Sequence, residues 1–503
     1  MKNTVFRFSG VKVAELARVL GLSNPKCGHF GTITNFRHHP SMVFVIFLLL
    51  PLNLLAFGGK KYDPTTLVYP SFLHTMGIRK ATKMHLMIYT ANRVKVKNPQ
   101  GLAVVRLNSW EDPKDKNDDD DVTGYGVNSG INVIVYNKSM SSLGFYGLNE
   151  SGERKLNKPT AVAANELGDV YVADTGNHRI VRFFNPKANL KFLRAIGGEG
   201  TIPGRFKSPR GLVMDSNHMV YVADTGNHRI QVIRPDDQLH LWFGDQGIED
   251  GELWHPAGLA VTNGKGRWSF YKDSFIVLVD LDGTRIQKFS LEGEFMKAIR
   301  LQDFGFESGQ LLYMAIDYYS NIWVTDFANH CIHKFDRNLN YLTSFGRKGG
   351  GKKEFFEPRG IAIYKRFGQV FIVEKEAAQY YWVGTDILDL ESNRLADKGV
   401  VELDFTLTEP TFMTLKVEGK GLKSKTIFEK RKYFTGPRKI YLDGNWNVVA
   451  ISKIENLRHH GNSLNSKFAR VEPGKYKFKI KVESTYSSYK YFSKEVETSI
   501  LIN

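Results

Sequence analysis

The chain has 503 residues, 13% of them aromatic, with 46 Gly and 17 Pro. That length leaves room for two to four domains, and that composition favours strands and turns over helices. A formal charge of +17 favours anionic surroundings or partners without bearing on the fold, and two cysteines exclude a disulfide framework.

Residues 42–57 run Met-Val-Phe-Val-Ile-Phe-Leu-Leu-Leu-Pro-Leu-Asn-Leu-Leu-Ala-Phe. The run is short for a membrane span and suits the apolar stretch of an export signal. Lys2, Arg7, Lys12, Arg18, Lys26 and Arg37 precede it against one acid, Glu15, which would keep the N-terminus inside. Ala56 and Gly58 supply small residues for cleavage. Residues 1–58 are therefore expected to be a leader, with Met42 as an alternative start. Export would place the remainder in the periplasm, at the cell surface or in the medium; an uncleaved leader would anchor it in a membrane. Cys27 falls in this leader, so the mature chain is left with Cys331, read as a small buried hydrophobe.

Lys83-Met-His-Leu-Met-Ile-Tyr89 reads as a strand. A first repeat unit opens at Asn98-Pro and carries the charged insert 111–121. A calcium loop counted from Asp115 would need Gly at its sixth position and a carboxylate at its twelfth. Those positions hold Asp120 and Gly126, so a solvated loop is expected.

Tyr171-Val-Ala-Asp-Thr-Gly-Asn-His-Arg-Ile180 recurs letter for letter from Tyr221 to Ile230. Around each copy the order is the same: a leading Pro, a short apolar strand, a second strand, an Asp-Thr-Gly-Asn turn, a third strand, a fourth and a Gly-rich exit. Four strands in about 40 to 50 residues make one β-propeller blade. Weaker copies stand in register at Val277 to Ile286 and Trp323 to Ile332. A sixth unit opens at Glu357-Pro-Arg-Gly and ends near Val383 without a fourth strand. Open sheet edges are costly, so the strand at Met84 to Tyr89 is expected to complete it. The predicted fold is all-β: a six-bladed propeller of four-stranded blades over 69–390, closed by an N-terminal strand, then a small β-sandwich.

The repeated Asp-Thr-Gly-Asn-His-Arg turn, the leading Pro-Arg-Gly and the Phe-Gly exit resemble the NHL-repeat family. That resemblance implies a propeller that presents a binding face. It also brings relatives that are lyases or hydrolases with a metal at the channel mouth, and others that bind RNA through a basic face.

Within the turns, Asp174 and Asp224 are expected to accept N–H bonds locally, and Gly176 and Gly226 to supply unusual dihedrals. His178, His228 and His330 sit in different blades, so packing is favoured over zinc, which needs its ligands within bonding reach. Gly346-Arg-Lys-Gly-Gly-Gly-Lys352 approaches a phosphate loop but continues with Lys353, not Ser or Thr, and reads as a blade connection. The residues following each leading Pro, or in register with that place in the fifth unit, where Leu311 replaces the Pro, are Gln100, Thr160, Arg210, Ala257, Leu312 and Arg359 at the channel mouth. Arg210 and Arg359 fall three blades apart and would face each other, so they are candidates for a carboxylate, phosphate or sulfated sugar; Gln100 and Thr160 are placed beside them as ligand-binding candidates. No His or carboxylate occupies these positions. No catalytic residue, metal or cofactor is therefore assigned.

Residues 391–400 read as a polar linker. Residues 401–503 carry 19 Lys and Arg against 11 Asp and Glu. In Gly474-Lys-Tyr-Lys-Phe-Lys-Ile-Lys-Val482, Tyr476, Phe478, Ile480 and Val482 alternate inward while Lys475, Lys477, Lys479 and Lys481 face out, a stripe read as edge protection. With Phe405-Thr-Leu-Thr-Glu-Pro, Tyr441-Leu-Asp-Gly444 and Glu472-Pro-Gly, this region resembles the immunoglobulin-like module of flagellar hook-capping proteins, although Leu442 stands where that pattern has Trp.

The expected function is an exported binding or scaffold protein of the cell envelope. Its partner would be a protein or an anionic glycan or envelope polymer, with no nucleic acid, membrane contact only through the N-terminal segment, and a monomeric state. The alternatives are a propeller enzyme acting on a small anionic or glycan substrate and, without export, an RNA-binding propeller.

Overall fold

The structure is a computed structural model that describes residues 64–502 apart from 71–78, 111–121, 140–141, 188, 396–399, 453–470 and 487–491. The leader and the acidic insert lie outside the described residues. Among those described, no helix is long and apolar enough to cross a membrane.

Six antiparallel sheets follow one another along the chain up to Val383. The first comprises Pro99–Val105, Thr123–Asn128, Val133–Ser139 and Ser142–Tyr146. The second and third begin with Ala161–Ala164 and Gly211–Met214 and carry the two identical decapeptides on their second and third strands. The fourth, fifth and sixth begin with Leu259–Asn263, Leu311–Ile316 and Ile361–Tyr364. The first strand of each sheet lies against that of the next, and the sixth returns to the first. Strands two and three of each sheet carry the core, which is why they read as continuous apolar runs. Val170, Val172, Val222, Ile276, Val277 and Val324 are fully buried there.

The sixth sheet has three strands of its own, ending in Ala377–Val383, and its edge is paired by residues from far upstream. Leu67 and Val68 pair with Val383 and Trp382, and Lys80, Ala81 and Thr82 pair with Gln379, Ala378 and Ala377. The predicted donor was Met84 to Tyr89. Those residues instead form the helix Lys83–Tyr89. Thr82 caps it, its N–H donating to His85 Nδ1 at 3.1 Å, and Met84, Met87 and Ile88 stand at helical rather than alternating spacing.

Two further four-stranded sheets share one apolar core that includes Leu403, Phe405, Leu415, Phe478 and Ile480. One contains Ile387–Leu395, so the stretch predicted as a linker over 391–400 is strand as far as Leu395. Its polar residues sit at the exposed positions of a strand with one wet face. The other sheet has Gly474–Ser484 as an interior strand between Thr411–Gly419 and Ser493–Ile502. The lysine stripe therefore protects no edge. Lys477 and Lys479 reach Glu497 and Glu418 on the flanking strands, each at 2.7 Å, as cross-strand pairs do.

Candidate functional site

The repeat motif is a device for joining sheets. Asp174 Oδ1 accepts the Asn157 N–H and Asp224 Oδ1 the Lys207 N–H, both at 2.7 Å. These donors belong to the segment leading into the same sheet, not to the Asp turn as predicted. Their Oδ2 atoms accept from Arg179 and Arg229 Nε at 2.8 Å. Gly176 and Gly226 are needed for close approach rather than for dihedrals. A Cβ on either would lie 2.8 Å from the carbonyl oxygen of Asn157 or Lys207. The left-handed residues are the histidines, with φ of 53°, 54° and 57° at His178, His228 and His330. Each Nδ1 accepts the N–H of the residue before the next sheet's leading Pro: Ser208 at 3.0 Å, His255 at 3.2 Å and Glu357 at 2.9 Å. Burial lowers the pKa of His228 and His330, which favours the neutral ring that can accept. Among the described residues, no three His, Cys, Asp or Glu converge as metal ligands. Cys331 is buried, and burial pushes its thiol pKa up. The Gly346 to Lys352 stretch joins the fifth sheet to the sixth, with Lys348 bridged to Phe355.

At the mouth, neighbouring first strands approach backbone to backbone. A Cβ on Gly211 would lie 1.7 Å from Ala257 O, and one on Gly258 1.9 Å from Leu312 O. Four of the six sheets have Gly at this place and the second has Ala161. The fifth has Tyr313. Its hydroxyl donates to Gln100 Oε1 and lies 2.9 Å from both that atom and Thr160 O. One side chain of the fifth sheet thus reaches the first and second. Arg210 and Arg359 both act electrostatically on this phenol, whose pKa burial raises.

The four predicted site residues therefore gather around a fifth that sequence reasoning missed. The signal was present as the one aromatic residue in a column of Gly and Ala. Their circumstances differ. Arg359 is buried; it donates through Nη1 to Asn98 Oδ1 and to Pro99 O, and through Nη2 to Glu357 Oε2 at 3.2 Å. Thr160 Oγ1 donates to Arg210 O at 2.8 Å. Gln100 Nε2 donates to Asn98 Oδ1 at 2.9 Å. The Arg210 residue is exposed. Chemically, the mouth offers an exposed guanidinium beside a bridging phenol, with the second guanidinium held in local bonds. Tyr313→Phe is expected to cost about 1 kcal/mol, read by denaturant titration, while leaving the sheets intact by circular dichroism.

The NHL repeat family model matches residues 156–183 and 206–233. No curated relative matches the chain. Among solved structures, a streptogramin B lyase is 12% identical over 57% of this chain and 94% of its own, with a TM-score of 0.38. A gluconolactonase from Xanthomonas campestris is 11% identical over 64% and 99%, with a TM-score of 0.39. A luciferin-regenerating enzyme is 12% identical over 60% and 94%, with a TM-score of 0.38. The two matched segments cover the first three strands of the second and third sheets, where Asp and Gly hold each sheet to its own leading segment and His holds it to the next, and the chain carries NHL repeats in an NHL-type β-propeller.

Proposed function

We propose that the chain is an exported binding or scaffold protein of the cell envelope. Its propeller is read as six-bladed and sealed by the N-terminal segment, and the C-terminal region as an immunoglobulin-like sandwich. The pairing of Leu67–Val68 and Lys80–Thr82 with the last strand of the sixth sheet supports the sealing. The observation that carries the binding reading is the Tyr313 bridge to Gln100 and Thr160. A phenol fixed across the mouth takes the space through which a small substrate would enter. Beside it the exposed Arg210 suits a larger acidic partner laid over the rim, a protein or an anionic glycan, held by charge-assisted hydrogen bonds.

The test is a binding screen of acidic glycans and envelope proteins by biolayer interferometry, repeated with Arg210→Ala. The expected result is saturable binding, insensitive to chelators and weakened about tenfold by the substitution, the loss of one charge-assisted contact. Turnover of a small anionic substrate, or binding indifferent to Arg210, would overturn the reading. Export is checked separately by fractionation and N-terminal sequencing of the mature chain.

A further inference from the structure

The opposite end of the ring, where the first strands finish, holds a cavity of about 480 Å³. It lies between the segments after the first strands of sheets one, two, three, four and six.

Its lining is cationic. Arg106, Arg267, Lys365 and Arg366 stand against Asp215 and Glu166. Asp215 is committed to its own turn, accepting the N–H groups of Asn217 at 2.8 Å and Met219 at 2.9 Å and the Asn263 amide at 3.0 Å. Asp317, the acid that acts on Lys365, holds Trp323 Nε1 at 2.9 Å, Asn321 Nδ2 at 3.0 Å and two backbone N–H groups. Burial pulls the Lys365 ammonium down to about 8, so an anion brought beside it would raise it again. Trp268 is half-buried in the wall, with Arg366 Cζ 4.7 Å and Arg267 Cζ 4.9 Å from its ring centroid.

We propose that this cavity binds an acidic sugar, its carboxylate or sulfate on the Arg267 and Lys365 cations beside the indole of Trp268. Guanidinium groups match carboxylate and sulfate oxygens two at a time. Both guanidinium groups lie over the Trp268 ring, so the indole holds the cations in place and its emission reports on what they bind. The volume suits a mono- or disaccharide. This site is separate from the Tyr313 mouth and does not depend on it.

The experiment titrates the full chain with a glucuronate-containing disaccharide, its neutral glucose counterpart, inorganic sulfate and a short oligonucleotide, by calorimetry and by Trp emission. The acidic disaccharide is expected to bind saturably and to perturb emission, with the neutral one at least tenfold weaker. Arg267→Ala, at an exposed position, is expected to weaken binding about tenfold; Lys365→Met acts likewise. Trp268→Phe is expected to abolish the emission change. Lys475→Ala, an exposed lysine of the C-terminal sheets, leaves the affinity unchanged. Equal affinity for the neutral sugar, preference for the oligonucleotide, or binding indifferent to both cation variants would overturn the proposal. Loss on Arg210→Ala alone would move the ligand to the mouth and overturn it too.

Discussion

Replacing Lys334 by Met is expected to destabilise the chain by about 3–5 kcal/mol at pH 9, and by less at pH 6. Lys334, in the fifth sheet, is fully buried; its ammonium donates to Glu409 Oε2 and lies 4.3 Å from the Trp323 ring centroid. Glu409 belongs to the C-terminal sheets, is also fully buried, and accepts the Asn321 amide at 2.9 Å. Removing the cation leaves a carboxylate with no counter-charge in a dry seam. Burial pushes the Glu409 carboxyl up to about 8. The sign follows from linkage. Between its unfolded value of about 4.5 and about 8, the folded chain holds a proton that the unfolded chain has released. Stability therefore falls as pH rises through that window and levels off above it. Glu409→Gln is expected to flatten the slope, and Lys334→Met to extend it upward. Lys334→Met with Glu409→Leu should recover most of the loss, because two apolar groups need no counter-charge. Denaturant unfolding across pH 5 to 9, followed by Trp emission, reads the parent chain and all three variants.

Asp224→Ala is expected to cost a comparable amount, about 3–5 kcal/mol, by denaturant midpoint. The carboxylate is fully buried and receives Lys207 N–H, Asn227 Nδ2, Arg229 Nε and Gln231 Nε2, the last two at 2.8 and 2.9 Å. Its loss strands a buried guanidinium otherwise held by carbonyl oxygens of Thr201, Ile202 and Arg205. Asp224→Asn keeps an acceptor for Lys207 and should lose less. The fifth sheet supports this account. There Cys331 replaces the Arg, and His333 Nε2 lies 3.1 Å from Asp326, whose other oxygen accepts the Ala328 and Asn329 N–H groups of its own turn.

What the sequence made legible is what repetition makes legible. Asp174 and Asp224 each receive an N–H from a residue 17 positions upstream, so identical letters mark identical bonds, and the sheets follow from their spacing. The direction of those bonds was not legible, because an Asp beside a turn can serve the turn or a distant strand equally well. Lys83–Tyr89 misled because a seven-residue apolar segment fits either period, and only capping by Thr82 decides between them. The lysine stripe misled because alternation shows which face is wet but not which strand is at an edge. At the mouth, Arg210, Arg359, Gln100 and Thr160 could be assembled from blade order alone, yet Tyr313 decides what they surround. The far cavity was invisible: its cations come from segments between 106 and 366, brought together only by the turn of the ring.

The histidine contacts carry one more consequence. Each one straddles the seam between two sheets, with the imidazole contributed by one and the amide by the next, so the chemical module is out of phase with the visible sheet. A gene duplication copying a single sheet and nothing beyond it would always discard half of a clasp. One copying fifty residues, in whatever frame, would carry a complete clasp and slot in.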